Sequence, residues 1–301
     1  MLSNTLLKKC IYSLILLITT IALPAYGQNN ISTQPSSDSD NSSFDEVSID
    51  RDYESIPLYS DQEFSIATGY DFSSGKFNLP INTNISYIPY SFKYNKGKWS
   101  LRASSGYISF AGPRNIVTAD DGVPLLTDIT LTPNERTHSS RKSGFGDIYL
   151  GATYSLENPF NDDLYFDLTA RVKIPTANEK VGLGTGKLDY TLKADVAYVI
   201  GSFIPYASIG YRIVGKTIAY DLQNTFFASV GLTYYMTADT SVGISYDYRE
   251  STTPNFENPK EILAYLDVQI DDNWGINLYS VTGLSSTTTD YGLGAQLRYK
   301  F

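Results

Sequence analysis

From residue 61 to the C-terminus, apolar side chains recur at every second position over long stretches, the mark of strands with one face in an apolar medium. The clearest run sets Leu164, Phe166, Leu168, Ala170, Val172 and Ile174 against Tyr165, Asp167, Thr169, Arg171 and Lys173. Residues 188–198 repeat it, with Leu188, Tyr190, Leu192, Ala194, Val196 and Tyr198 opposed by Asp189, Thr191, Lys193, Asp195 and Ala197. The same alternation predicts strands over 226–236, 242–248, 262–270 and 291–301. In weaker form it predicts strands over 64–70, 81–94, 99–107, 148–156, 203–213 and 274–280. That gives twelve strands, an even number. Within 81–94 the apolar phase switches, from Ile81, Thr83, Ile85 and Tyr87 to Tyr90, Phe92 and Tyr94. A one-residue slip reverses every later side chain, and Pro89 has no N–H to give a ladder, so a bulge is expected near Ile88-Pro89.

Strand length and connection length agree on the architecture. Strands of soluble proteins average roughly 5 to 6 residues, and several of these runs are about twice that. Ten residues at about 3.3 Å each, tilted by about 40°, cover roughly 25 Å, the height of the apolar band of an outer-membrane barrel. Connections after strands 2, 4, 6, 8 and 10 are short (95–98, 157–163, 201–202, 237–239 and 271–273). Those after the odd strands are mostly longer, including 110–143, 175–187, 215–223, 250–260 and 282–289. Short periplasmic turns alternating with long extracellular loops produce that order and put both termini in the periplasm. The last strand alternates through Tyr291, Leu293, Ala295, Leu297 and Tyr299 to Phe301. This ending resembles the C-terminal signal that the barrel assembly machinery reads. The fold class is all-β, a transmembrane antiparallel up-and-down β-barrel of about twelve strands, over residues 61–301.

Composition changes the picture upstream. Residues 1–27 read as a secretory signal, with Lys8 and Lys9, an apolar core over 11–22 and a small-x-small site at Ala25-Tyr26-Gly27. The apolar core falls short of the ~20 residues a membrane-spanning helix needs. Cys10, the one cysteine, precedes that core, so no disulfide or multi-cysteine zinc site follows. Residues 28–60 carry seven acids against Arg51, among Ser, Asn and Gln, and read as an acidic, disordered periplasmic leader. The net charge of −9 and the lack of a basic tract argue against a nucleic-acid partner. The 25 tyrosines suit a pleated surface.

If the apolar face meets lipid, a charge there costs about 2 to 4 kcal/mol near the midplane, and in the strong strands that face has none. The opposite face places Arg102, Asp147, Asp167, Arg171, Lys173, Asp189, Lys193, Asp195, Arg212, Asp247, Asp267, Arg298 and Lys300 toward the lumen. Such a near-neutral mixture suits ion pairing across the lumen or weakly selective diffusion. Tyr154, Tyr198, Tyr211, Tyr234, Tyr246, Tyr299 and Trp274 fall on the lipid face, many near strand ends, where aromatic girdles form. Tyr149, Tyr165, Tyr206, Tyr235, Tyr265 and Tyr279 point inward, as lumen packing or as a stacking track.

Two segments carry a resemblance. Gly144-Phe145-Gly146-Asp147-Ile148-Tyr149-Leu150 opens a strand after the longest loop. Lys173-Ile174-Pro175-Thr176 leads to Gly182-Leu183-Gly184-Thr185-Gly186. This order resembles the transporter-like outer-membrane barrels called the putative MetA-pathway-of-phenol-degradation family, over about 63–301. The resemblance implies uptake of small, aromatic or otherwise hydrophobic, compounds. Read from the residues, the glycines permit tight backbone geometry. Gly182–Gly186 is no phosphate loop, since no Lys-Ser/Thr follows it.

The function expected is an outer-membrane channel or transporter for passive uptake of small solutes, with the loop 110–143 gating or plugging its mouth. The alternative is a closed structural or adhesin-like barrel binding partners through its loops. A membrane hydrolase is a third reading, and its histidine would have to be His138, the sole one, beside Ser139 and Ser140; sequence neighbours do not make a nucleophile-base geometry. Asp120, Asp121, Asp128 and Glu135 lack EF-hand spacing. No catalytic residue, cofactor or metal ligand is assigned. The expected partners are membrane lipid, the assembly machinery through Phe301, and a small-molecule solute.

Overall fold

The computed structural model describes residues 60–77, 81–113, 116–118, 124–126, 139–156, 163–218, 221–254 and 256–301. The signal and leader expected over 1–27 and 28–60 lie outside these residues except for Ser60, as does His138. The long alternating segments fold as β1 (Ser60–Gly75), β2 (Thr83–Gly97), β3 (Trp99–Pro113), β6 (Ser139–Phe145), β7 (Ile148–Leu156), β8 (Leu164–Ile174), β9 (Asp189–Tyr198) and β10 (Phe203–Ile213). They continue as β11 (Thr225–Tyr235), β12 (Thr240–Arg249), β13 (Lys260–Gln269), β14 (Trp274–Gly283) and β15 (Tyr291–Lys300). Two short strands, β4 (Ile116–Thr118) and β5 (Pro124–Leu126), pair with each other in the longest loop. Among the described residues there is no α-helix, only a 3₁₀ turn at Glu179–Val181.

Consecutive long strands pair antiparallel, and β1 joins β2 on one edge and β15 on the other, which closes the sheet. Both β6 and β7 pair with β3, so they are one course of the wall interrupted at Gly146-Asp147. The Gly146 N–H bridges that gap by donating to the Gly106 carbonyl at 2.8 Å. Twelve courses therefore form a closed antiparallel barrel, as the alternation predicts.

Inside and outside separate along every strand. Val230, Leu192, Ile209, Leu293 and Leu168 are exposed on the outer wall, whereas Lys193, Arg212, Asp267 and Arg298 on the inner wall are buried. Aromatic rings gather at the turn end of the outer wall. Trp99 meets Tyr154 with centroids 4.9 Å apart, Phe203 meets Tyr234 at 4.7 Å, and Trp274 meets Tyr299 at 4.7 Å. Phe301 closes this belt against Tyr299 and Phe64. A second set lies toward the loop end, where Phe72 faces Tyr291 and Tyr107 faces Phe145. Amphipathic rings at these two heights fit the two lipid-water boundaries.

Three expectations need correction. First, no bulge occurs at Ile88-Pro89: β2 keeps one register with β3 from Asn84↔Ala111 to Lys96↔Trp99 and one with β1 across the same residues. The register shift on β1 and β2 lies instead between Ser60 and Glu63. The apolar phase changes because Ile85 and Tyr87 face an apolar cluster inside the barrel, while Tyr90 and Phe92 face outward. Secondly, the long loop is shorter than 110–143, since β3 runs on to Pro113 and pairs with Ser139 at the start of β6. Thirdly, the segment 144–150 does open the expected strand, β7 at Ile148, but Gly144 and Phe145 end β6, so the segment spans a break within one course rather than following a loop.

The apolar outer belt predicts the response to charge. Val230, midway along β11 and 58% exposed, should cost about 2 to 4 kcal/mol when changed to Arg at membrane mid-depth. Urea unfolding of the refolded protein in phospholipid vesicles measures this, and an unchanged midpoint for Val230→Arg would mean the belt does not face hydrocarbon.

Candidate functional site

One groove, of about 550 Å³ and lined by Ile66, Tyr90, Phe92, Trp274 and Leu297, lies on the outer wall. It faces lipid, so the chemistry-bearing residues have to be sought inside the barrel. There Asp147, Asp167, Lys173, Asp189, Lys193, Arg212, Asp267, Arg298 and Lys300 are buried, and Arg102, Arg171, Asp195 and Asp247 are half-buried. The interior is arranged in three levels.

At the loop end, apolar residues from two loops meet apolar residues of two strands. Phe77, Ala177 and Leu183 pack with Ile85, Ile108 and Phe110, and Tyr87 leans on the group. Leu183 and Ala177 belong to the segment between β8 and β9, which is drawn into the mouth by buried polar contacts. The Lys173 ammonium lies 2.7 Å from Asp189 Oδ2 and 3.7 Å from Asp147 Oδ2, and it donates to Thr185 Oγ1 at 3.2 Å. Asp147 Oδ1 accepts from the Ala177 N–H at 2.9 Å, and Asp189 Oδ1 from the Gly215 N–H at 2.8 Å. Thr176 Oγ1 donates to the Gly146 carbonyl at 3.1 Å.

The backbone of this segment depends on its glycines at two points. Gly182 ends the 3₁₀ turn in the left-handed region, φ 79°, which Gly adopts without a steric cost. Gly184 lies so close to Asp147 that an added Cβ would sit 3.1 Å from Oδ2 and 2.9 Å from Ala177 Cβ. The two sequence segments that carry the family resemblance are therefore one structural unit, a latch of Asp147, Lys173, Thr185 and Asp189 holding an apolar lid.

Toward mid-height, aromatic rings lie on the inner faces of β10, β13 and β14. Tyr265 shares a 2.5 Å hydrogen bond with Thr233, and Tyr206 is hydrogen-bonded to Ser245 and Tyr265. Leu263, Tyr279 and Val281 form a second interior cluster with Tyr265 against it. Nearer the loop end Tyr149, opposite Lys173, lies under Arg171, whose Cζ is 5.1 Å from the ring centroid. Tyr165 and Tyr235 are half-buried on the inner faces of β8 and β11, at the turn ends of those strands.

At the turn end the polar groups pair. Arg298 donates to Gln269 Oε1 at 2.8 Å and lies 3.9 Å from Asp267, which also accepts from Asn277 at 3.1 Å. Lys300 reaches Glu63 at 3.9 Å. Farther up the wall Lys193, midway along β9, lies 3.3 Å from Asp195, and toward the loop end of β12 Ser245 donates to Asp247 at 2.9 Å. Asp167 stands directly opposite Asp195 in the β8–β9 register.

Sequence reasoning missed Asp71 and Lys93, both buried on the inner wall. The signal for Lys93 was present: Ser91, Lys93 and Asn95 alternate with Tyr90, Phe92 and Tyr94. Thr185 was visible only as part of a glycine-rich loop. Of the acids in the longest loop, Asp120, Asp121, Asp128 and Glu135 lie outside the described residues. Among the described residues no cluster of three or more metal-ligating side chains occurs.

Beyond the wall, the loops 250–259 and 284–290 are tied together. Glu257 accepts from the Ser286 N–H at 3.0 Å and its hydroxyl at 2.9 Å, and Thr287 Oγ1 donates to the Glu257 carbonyl at 2.9 Å. The Ser286 bonds, with a smaller effect from Lys260, hold the Glu257 carboxyl below its ordinary value.

The family model described as "Putative MetA-pathway of phenol degradation" matches residues 67–301. No curated protein matches the chain. Among solved structures, the chain is similar to "KdgM porin in complex with disordered oligogalacturonate", at 9% identity over 79% of this chain and 99% of that one, with a TM-score of 0.49. It is also similar to "CymD monoaromatic hydrocarbon channel", at 9% identity over 81% and 88%, TM-score 0.42. A third is the toluene transporter TodX of Pseudomonas putida, at 12% identity over 81% and 90%, TM-score 0.39.

The geometry generates two expectations. Lys173→Met leaves the buried carboxylates of Asp147 and Asp189 without their shared cation and should destabilise the fold by about 3 to 5 kcal/mol. Adding Asp147→Asn and Asp189→Asn should recover most of that loss in urea unfolding; a triple variant no better than Lys173→Met would show that the charges are not coupled. The second concerns acid. A carboxyl whose folded value is depressed contributes stability above its unfolded value and loses it as pH falls through the folded value. Exchange of the Ser286 amide hydrogen, corrected for its intrinsic pH dependence, should therefore accelerate once pH drops below 4.5, the ordinary Glu257 value. Glu257→Gln should abolish that acid-dependent step.

Proposed function

The chain belongs to the family described as "Putative MetA-pathway of phenol degradation", and from that premise we propose that it forms an outer-membrane channel for passive passage of small solutes, hydrophobic or aromatic ones among them. The observation that carries this reading is the division of the barrel. A closed twelve-course wall presents an apolar belt outward and encloses charged and tyrosine-rich surface, and at its mouth the loop residues Phe77, Ala177 and Leu183 pack onto Ile85, Ile108 and Phe110 of the wall. Twelve strands enclose more space than an eight-stranded barrel filled by its own side chains and less than a sixteen-stranded porin. A solute enters from the loop end when the lid of Ala177 and Leu183 parts from Ile85, Ile108 and Phe110, and the latch sets how often that happens.

The inner residues named from the sequence then line the route. Asp147, Lys173 and Asp189 hold the lid. Asp167, Arg171, Lys193, Asp195, Arg212, Asp247 and Arg102 give the wall its mixed charge, and Asp267 and Arg298 flank the exit. With both signs interleaved, the route discriminates weakly between small cations and anions. On this reading the loop between β8 and β9 is the gate. Residues 1–27 serve export, 28–60 remain a periplasmic leader, and the strand ending in Phe301 is the part presented to the assembly machinery. The protein carries solute without transforming it, and no residue is assigned a catalytic role.

Conductance in planar lipid bilayers tests the channel. The wild-type protein should pass small ions in brief openings, and Lys173→Met, or removal of residues 177–186, should lengthen the openings and raise the mean current severalfold. A wild type and both variants that refold to barrels yet never conduct would instead support a closed barrel acting through its loops.

A further inference from the structure

Five inward-facing aromatic rings do not project into the lumen but lie along the wall over a glycine of the adjacent strand. Tyr206 on β10 is opposite Gly231, Tyr265 on β13 opposite Gly243, and Tyr279 on β14 opposite Gly294. Phe227 is opposite Gly210, and Tyr87 covers Gly106 on the diagonal. A Cβ at any of these glycines would run into the ring. For Phe227 the ring atom nearest that Cβ is Cζ, with the two Cε atoms 2.6 and 2.7 Å away. An approach in the ring plane past Cζ would leave both Cε atoms farther away, so flanking distances this short mean that the Cβ would meet the face of the ring. Tyr206, Tyr265 and Tyr279 also meet it first at Cζ. A ring resting face-down on one strand has only its other face to offer; Tyr206 and Tyr265 keep part of theirs exposed, whereas Tyr279, 3% exposed, is packed with Leu263 and Val281.

A glycine in a strand loses side-chain packing and carries an entropy cost, so its recurrence opposite inner aromatics calls for a compensating role. The three tyrosines are also contiguous. Tyr206 hydrogen-bonds Tyr265, Tyr265 stands directly opposite Tyr279, and Asp247 and Asp267 lie close enough to act electrostatically on Tyr206 and Tyr265. Flat π faces beside carboxylates and phenolic oxygens make a surface for a planar ring bearing a hydrogen-bond donor, because aromatic pairs and cation–π contacts both require access to a ring face.

We infer that Tyr206 and Tyr265, held flat by Gly231 and Gly243 and backed by Tyr279 over Gly294, form a stacking track in the lumen that selects planar aromatic solutes bearing a donor group. The inference rests on the channel reading. The glycines act as positioning residues: those under Tyr206 and Tyr265 keep the ring faces toward the solute, and Gly294 keeps the Tyr279 backing low. A methyl group at Gly243 or Gly294 lifts the ring off the wall, which narrows the lumen and turns a ring edge toward the solute.

Benzylammonium and cyclohexylmethylammonium test this, since they share charge and heavy-atom framework and differ in planarity. Added to a conducting bilayer, benzylammonium should block the wild-type current at a concentration about three- to tenfold lower than its saturated analogue, the range expected from one or two ring contacts. Gly243→Ala and Gly294→Ala should lower both the current and that preference. Tyr265→Leu, which needs no rearrangement of the wall, should lower the preference. Combining it with Gly243→Ala should regain current over the glycine variant without regaining the preference. Equal block of the wild type by the two cations, or an undiminished preference in Tyr265→Leu, would overturn the track. Calorimetric binding of the same two cations to the detergent-solubilised barrel separates the failures. Selective binding without conductance retains the track and removes the channel; conductance without selectivity removes the track alone.

Discussion

Lipid offers no partner to a backbone N–H or C=O, so a sheet can cross a membrane only if its two edges bond to each other. In this chain that requirement falls on β1, which meets β2 on one side and matches Ser65–Ser74 to Lys300–Tyr291 on the other. Once the sheet is closed, side-chain direction has a period of two around the whole wall, and each residue faces either hydrocarbon or lumen. The exposed leucines and valines, the two aromatic belts and the buried charges all follow from that single condition. Even Pro89, which cannot donate to the ladder, is accommodated without breaking it: its carbonyl accepts from Thr68 Oγ1 at 2.9 Å.

A closed wall hands its polar residues to a confined interior that must satisfy them. Near the turn end this is done by short-range pairing, as Arg298, Gln269, Asp267 and Asn277 show. At mid-height, glycine on one strand and an aromatic on the next share the space that two ordinary side chains would fill. Near the loop end the interior turns apolar, and a loop completes it. Polar pairing recurs along the whole axis, the aromatic rings of β10, β13 and β14 stand between the two ends, and the apolar cluster and charged latch are confined to the loop end, where they join strands far apart in the chain.

The strands were legible because lipid enforces the alternation so strictly: the runs beginning at Leu164 and Tyr291 name their own faces. The segment 81–94 was harder for the same reason. Equating apolar with lipid-facing made Ile85 and Tyr87 look out of phase with Phe92, when in fact they face the interior cluster and the register never shifts. That reading also hid Lys93, whose place on the inner wall follows at once when the strand is continuous. The latch was half legible. Asp147, Lys173 and Asp189 all stood out as inner-face charges, but their meeting depends on the course breaking at Gly146-Asp147 and on the loop folding back at Gly182, and neither leaves a periodic trace. Thr185 and the glycines under the tyrosine rings were out of reach for a similar reason, because their significance is the space they leave to a neighbour named only by the pairing register.

The composition of the mouth carries one further argument. A buried ion pair is weak as a source of stability, and well-packed apolar residues of similar volume commonly do as well or better. The segment that Lys173 helps hold also buries Ala177 and Leu183 against Ile85, Ile108 and Phe110, so an apolar closure was physically available at the mouth. A lid held only by such residues would stay shut, since opening it would expose all of that surface to water at once. A lysine shared between two carboxylates behaves differently, because water entering the mouth can solvate each charge as the contact lengthens and so offset part of the cost. Charge bound to the same segment as the apolar contacts therefore favours a joint that opens and recloses over one that is simply plugged.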